Sequence, residues 1–230
     1  MCPGLRLIKK GAEADLLLCK WRGLPVVLKR RIVKSYRNPL LDKEIRKART
    51  IHEARLLHEA KRAGVSTPSV LMLDLPNTTI FMEHLEGTLA KCALDKMDLR
   101  SRNAFLVEVG HMIGRLHKAD IVHGDLTTSN MIIGSDGRIF FIDFGLGDLD
   151  SDVEKKGTDL HLMGRALAST HYRIADACFR MVLDGYSEEV GEASKEVIRR
   201  IGEIRSRARY IDLRSRTHSS HRGGMTHTRP

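Results

Sequence analysis

At 230 residues, with 42% hydrophobic side chains, the chain can fill one large domain or two small packed lobes, which excludes global disorder. Lys and Arg number 39 against 29 Asp and Glu, a formal charge of +10 that suits polyanionic partners: nucleic acid, acidic protein or anionic membrane. Cys2, Cys19, Cys92 and Cys178 form no Cys-x-x-Cys pair and no His-x-x-x-His occurs, so neither a disulfide framework nor a zinc site is expected. No secretory signal pattern or membrane-length apolar run is visible, and a cytoplasmic protein is expected.

In chain order, three short strands are predicted at Leu5–Lys9, Asp15–Trp21 and Val26–Val33, with Arg22-Gly23-Leu24-Pro25 as the turn between the last two. A polar stretch then leads to a long helix from Leu41 to Ala63, stopped by Gly64. Strands follow at Ser69–Leu73 and Thr79–Glu83 around Pro76-Asn77. From Gly87 the pattern turns helical: Phe105, Val109, Met112 and Leu116 fall on one buried stripe, and Gly110 and Gly114 permit close packing. A polar loop and a hairpin come next, with arms Met131–Ile133 and Arg138–Ile142 around Gly134–Gly137. Helices resume at Thr158–Tyr172, Ile174–Leu183 and Glu188–Ala208.

The expected architecture is α+β: a β-rich lobe with one long helix over residues 1–86, a mainly helical lobe over 87–208, and a basic, mobile tail over 209–230. From Arg205 onward there are seven arginines and one acidic residue, Asp212.

The segment that carries chemistry runs from His123 to Gly145. Asp125 and Asn130 share a loop, and Asp143 follows beyond the hairpin in Asp143-Phe144-Gly145. Transfer of a phosphoryl group from ATP needs a group that orients the acceptor and hard oxygen ligands for Mg²⁺. Asp125 fits the first role, and Asn130 with Asp143 the second; Phe144 packs to place Asp143, and Gly145 lets the backbone turn. Either motif alone is weak. Together, in this order and around a hairpin, they resemble a protein-kinase fold, here small and bilobal with a reduced C-terminal lobe.

Such a fold requires a strand lysine and a helix glutamate for the phosphates. Val26-Val27-Leu28-Lys29 supplies the lysine; Arg30 and Arg31 compete by position, but Lys29 best matches the Val-x-x-Lys form. Glu53 shares the helix face of Leu56, Leu57 and Ala60, whereas Glu44 and Glu59 point elsewhere. A carboxylate on that stripe needs a cation, either Lys29 or, in the plainer reading, Arg49 on the rim. The phosphate-covering loop departs from the usual Gly-rich form. Lys10-Gly11-Ala12-Glu13-Ala14 has one glycine, but its small residues still allow backbone N–H groups to approach phosphate.

The stretches Val33–Asp42, Arg49–Leu57, Met82–Gly87, His123–Asn130, Ile142–Gly145 and Val153–Gly164 resemble the atypical kinase/ATPase family of the KEOPS complex, also called the PRPK family, relatives of the RIO kinases. The resemblance covers residues 5–216. It implies serine/threonine kinase and ATPase activity with Mg²⁺ and ATP, in support of threonylcarbamoyladenosine formation on tRNA. It also implies a Kae-type transferase and a small regulatory subunit as partners. The basic tail reads either as a solvated end or as a contact to the tRNA backbone, whose phosphates suit the planar fork of arginine; no membrane partner is expected. Adenine would lie between the lobes, with Glu83 and Leu85 offering hinge backbone groups and Ile8, Val27 and Ile132 as apolar walls.

Three departures from ordinary protein kinases narrow the acceptor. Gly124 replaces the Arg of His-Arg-Asp, Thr127 stands where a Lys is usual, and no Ala-Pro-Glu follows Gly145. Asp159 is a candidate anchor for the catalytic loop or, more plainly, an acid near a helix start. Two other readings remain open: a small-molecule phosphotransferase of the aminoglycoside or choline kinase kind, and an RNA-binding pseudokinase scaffold.

Overall fold

A computed structural model describes residues 4–220, with side chains as far as 207. Five antiparallel strands form the first lobe: β1 (Arg6–Lys10), β2 (Ala14–Trp21), β3 (Leu24–Arg31), β4 (Val70–Asp74) and β5 (Thr79–Glu83), in the order β1-β2-β3-β5-β4. The β2–β3 turn is tighter than its sequence suggested. Arg22 and Gly23 alone make it, both at positive φ, and Leu24 and Pro25 already belong to β3.

Helix α1 (Pro39–Arg62) joins β3 to β4. Asn38 caps it, its side chain accepting from the Leu40 and Leu41 amides, and Pro39 occupies the first turn, where its missing N–H costs nothing. Gly64, at φ +81°, ends it as expected. The helix serves both lobes. Ala54 packs with Ile80 and Met82 of the sheet, while Leu56, Leu57 and Ala60 join the main core of the second lobe. That double attachment makes α1 a fixed platform for whatever it carries between the lobes.

The second lobe opens with β6 (Gly87–Leu89) and the short α2 (Ala90–Ala93), continues through α3 (Leu99–Lys118) and β7 (Ile121–Val122), and reaches the hairpin β8 (Met131–Gly134) and β9 (Ile139–Phe141). The hairpin extends to three strands because β6 pairs with β8, and β10 (Asp148–Leu149) pairs with β7. The remaining helices are α4 (Val153–Thr170), α5 (Ala175–Val190) and α6 (Ser194–Ser220). Helices α3 and α5 meet closely through glycine: a Cβ at Gly110 would fall 2.2 Å from the Val182 carbonyl oxygen.

Three helix limits differ from the sequence expectation, each for a local reason. Helix α4 starts at Val153 rather than Thr158, because the Asp152 side chain caps the Glu154 amide at 2.8 Å. Glu188 lies inside α5, whose end is set by Gly191 at φ +71°. Helix α6 runs to Ser220, past the expected end at Ala208. Arginine favours helix, and an outer helix needs only a narrow buried stripe, here Val197 and Ile201. Part of the segment assigned to a mobile tail, 209–220, is therefore helical in backbone, and 221–230 lie outside the described residues. No helix among the described residues is long and apolar enough to cross a membrane.

Candidate active site

Lys29 lies on β3 opposite Leu16 of β2 and Ile80 of β5. Strand alternation puts Val27, Lys29 and Arg31 on the face toward α1. There, buried Glu53 receives Lys29 Nζ on Oε1 at 2.5 Å and Arg31 Nη2 on Oε2 at 2.6 Å. Lys29 Nζ also donates to Asp143 Oδ1 at 2.6 Å, so one ammonium ties strand, helix and the Asp-Phe-Gly segment together. Arg49, the alternative partner of Glu53, turns outward instead and pairs with Glu13 at 3.0 Å.

Burial alone would lower the pKa of the Lys29 ammonium; attraction by Glu53, then Asp143, overrides it and holds Lys29 above its usual value. For Asp143, burial would raise the carboxyl, but Lys29 beside it keeps it below the usual carboxylate range. Both groups are therefore charged at neutral pH.

The Asp125–Asn130 loop is built around a buried frame. Asn130 Nδ2 donates to the Asp125 carbonyl at 2.9 Å and to its Oδ2 at 2.8 Å. Asp159 accepts the backbone N–H of His123 on Oδ2 at 2.6 Å and that of Gly124 on Oδ1 at 2.8 Å. It thus anchors the His123–Asn130 loop, projecting from within α4 rather than from its start. The His123 ring lies between Phe141 and Phe144, 4.4 Å from the latter, with Nε2 at 3.1 Å from the Ile142 carbonyl and Nδ1 facing the Asp125 amide. Burial pushes its pKa down, so the ring is neutral, Nε2–H donates and Nδ1 accepts.

Phe144 is fully buried behind Asp143, as its role requires. The sharp turn belongs to Asp143 itself, at φ +64°, rather than to Gly145, whose φ is not positive. Space at Gly145 is tight on one side, where a Cβ would sit 3.1 Å from Asp143 Oδ1.

A cleft of about 460 Å³ opens between the β1–β2 loop and this constellation, bordered by Gly11, Ala12, Glu13, Lys29, Asp125 and Asp143. Leu16, absent from the sequence reading, borders it too, as do Arg31 and Arg49, which the sequence offers only as a rival of Lys29 and a partner of Glu53; Leu16 and Arg31 fall on the Lys29 side of the sheet by alternation. The loop is strapped down by Lys34, which donates to the Ala12 carbonyl at 2.6 Å and lies 3.3 Å from Glu13. The proposed adenine contacts Ile8, Val27, Glu83, Leu85 and Ile132 do not border this cleft. The Glu83 amide is already committed to the Ser69 carbonyl at 2.9 Å.

For a metal, Asn130 Oδ1 and Asp143 Oδ2 have no hydrogen bond among the described residues. Two hard oxygens, completed by phosphate and water, suit Mg²⁺, which keeps several non-protein ligands. Among the described residues, no group of three His, Cys, Asp or Glu side chains could hold a metal without such help.

The two lobes, the strand lysine paired with a helix glutamate, and the anchored Asp125–Asn130 loop define a kinase-type enzyme. The sequence profile of the lipopolysaccharide kinase (Kdo/WaaP) family matches residues 19–186. The KEOPS complex subunit Bud32 of Pyrococcus abyssi is 46% identical over 213 residues, covering 90% of this chain and 96% of that protein. The EKC/KEOPS complex subunit bud32 of Dictyostelium discoideum is 36% identical over 209 residues, 88% of this chain and 82% of its own length. A probable bifunctional tRNA threonylcarbamoyladenosine biosynthesis protein of Methanothermobacter thermautotrophicus is 43% identical over 206 residues, but the chain spans only 37% of it. The chain belongs to the Bud32 family of KEOPS complex subunits.

Proposed function

We propose that the chain is the Mg·ATP-dependent kinase and ATPase subunit of a KEOPS-type complex, supporting threonylcarbamoyladenosine formation on tRNA in the cytoplasm. The observation that carries this reading is the Lys29 bridge between Glu53 and Asp143, set opposite the Asp125–Asn130 pair in one cleft. Lys29 supplies positive charge where the α and β phosphates would lie. The β1–β2 loop supplies backbone N–H groups above them. Asn130 and Asp143 would hold Mg²⁺, which supplies charge neutralisation on the transferred phosphoryl group. Asp125, with Oδ2 pinned by Asn130, orients the acceptor hydroxyl or water with its other oxygen. Its fixed geometry removes a rotational search from the reactive state.

The acceptor is narrow in this reading. Gly124 offers no side chain to receive an activation-segment phosphate, and α4 starts at Val153, only a short way past Gly145. Hydrolysis, self-phosphorylation or transfer to a bound serine or threonine is therefore favoured over action on many free peptides. Partners in this reading are a Kae-type transferase, a small regulatory subunit, and tRNA bound through the basic C-terminal segment. Co-purification from the native source, then ATPase assay with and without tRNA, tests it. Stimulation by tRNA supports the reading. Turnover only with small alcohols or aminoglycosides would transfer the chain to the small-molecule phosphotransferases, and nucleotide-free RNA binding would make it a scaffold.

A further inference from the structure

The Lys29–Glu53 pair has a third member. Arg31, two residues along β3, occupies the second oxygen of Glu53, so one buried carboxylate serves two cations. Arg31 is only 6% exposed and borders the phosphate cleft. Its Nη2 also reaches the Arg49 carbonyl on α1 at 3.3 Å, and its buried Nε has no partner. With Asp143 the group holds two positive and two negative charges.

That balance depends on Lys29 bridging two acids. When nucleotide arrives, Lys29 must turn toward phosphate and Asp143 toward metal, leaving Glu53 as its guide. A carboxylate held on one oxygen can rotate about its terminal torsion; one held on both by different cations cannot. A guanidinium is suited to the holding role because it stays charged and is planar.

We propose that Arg31 is a positioning residue for nucleotide use: it locks Glu53 from behind and so keeps Lys29 aimed into the phosphate cleft. The inference rests on the reading of this cleft as an ATP site. Arg31 acts through Glu53 and Lys29, not by gripping phosphate itself.

The test is a double-mutant cycle on Mg·ATP affinity, measured by direct titration of the full chain, with Arg31→Met and Lys29→Met alone and combined. In the Lys29 background, Arg31→Met should weaken binding about tenfold or more, the scale of one charge-assisted hydrogen bond. Arg31→Lys, which can still reach Glu53, should recover most of it. In the Lys29→Met background, Arg31→Met should change affinity by less than about twofold. If Arg31→Met does not fold, Arg31→Gln carries the same comparison. Equal losses in both backgrounds would show direct phosphate contact and overturn the proposal, as would unchanged affinity with Lys29 present. A purely packing role would shift the melting temperature of all variants while sparing the affinity of the folded protein, which also overturns it. Wild-type protein that binds no Mg·ATP would instead remove the ATP-site reading and this inference together.

Discussion

Gly124 is pressed against the carbonyl of Leu146: a Cβ at Gly124 would fall 2.1 Å from that oxygen. The contact joins the catalytic loop to the segment after Asp-Phe-Gly, and it accounts for His-Gly-Asp where many kinases have His-Arg-Asp. Gly124 is also at φ +77°. Any side chain there meets both a backbone clash and left-handed strain.

Gly124→Ala is therefore expected to destabilise the fold by at least about 2 kcal/mol and to displace Asp125. Urea unfolding and ATP turnover of the folded fraction check both halves. A variant with native stability and turnover would contradict the contact.

Asp159 carries a second structural prediction. Asp159→Ala leaves the buried N–H of His123 and the half-buried N–H of Gly124 without their acceptor. The expected cost is about 2–5 kcal/mol. Asp159→Asn keeps one acceptor oxygen and should fall between wild type and alanine. If the two variants unfolded at the same denaturant concentration, the carboxylate would not be acting as a two-point anchor.

The buried His123 ring predicts a pH signature. Its folded pKa lies below its unfolded value near 6.5, so the unfolded chain binds more protons in the interval between them. Its contribution to stability is complete above the unfolded value and is lost as pH falls from there through the folded pKa. The slope approaches about 1.4 kcal/mol per pH unit for one proton. Unfolding free energies of wild type and His123→Asn, measured from pH 8 to pH 5, should diverge in pH dependence only below 6.5. Parallel curves over the whole range would show that the ring titrates alike in both states.

Much of the site was legible because its chemistry dictates residue types. Asp125, Asn130 and Asp143 stand out as hard-oxygen groups in a fixed order. Lys29 follows from the Val-x-x-Lys form and Glu53 from the helical angle, and the structure places them 2.5 Å apart. Arg31 enters the sequence reading only as a competitor of Lys29, because one acid is matched there to one cation, whereas a carboxylate has two oxygens. Strands β6, β7 and β10 are two or three residues long, too short for any periodicity. The backbone turn expected at Gly145 falls instead at Asp143, whose left-handed conformation is held by the Lys29 bond and the buried Phe144. Helix α6 outran its expected end because an arginine-rich outer helix lacks a full apolar stripe.

Asp143 and Lys29 together form the proposed metal–nucleotide site. The most direct measurement is the melting temperature of the purified chain on titration with ATP, with and without Mg²⁺, for wild type and Asp143→Ala. Wild type should gain stability with ATP only when Mg²⁺ is present, about 2.7 kcal/mol at a hundredfold excess over Kd, and Asp143→Ala should lose that Mg²⁺ dependence. An ATP shift independent of Mg²⁺ and of Asp143 would contradict the account.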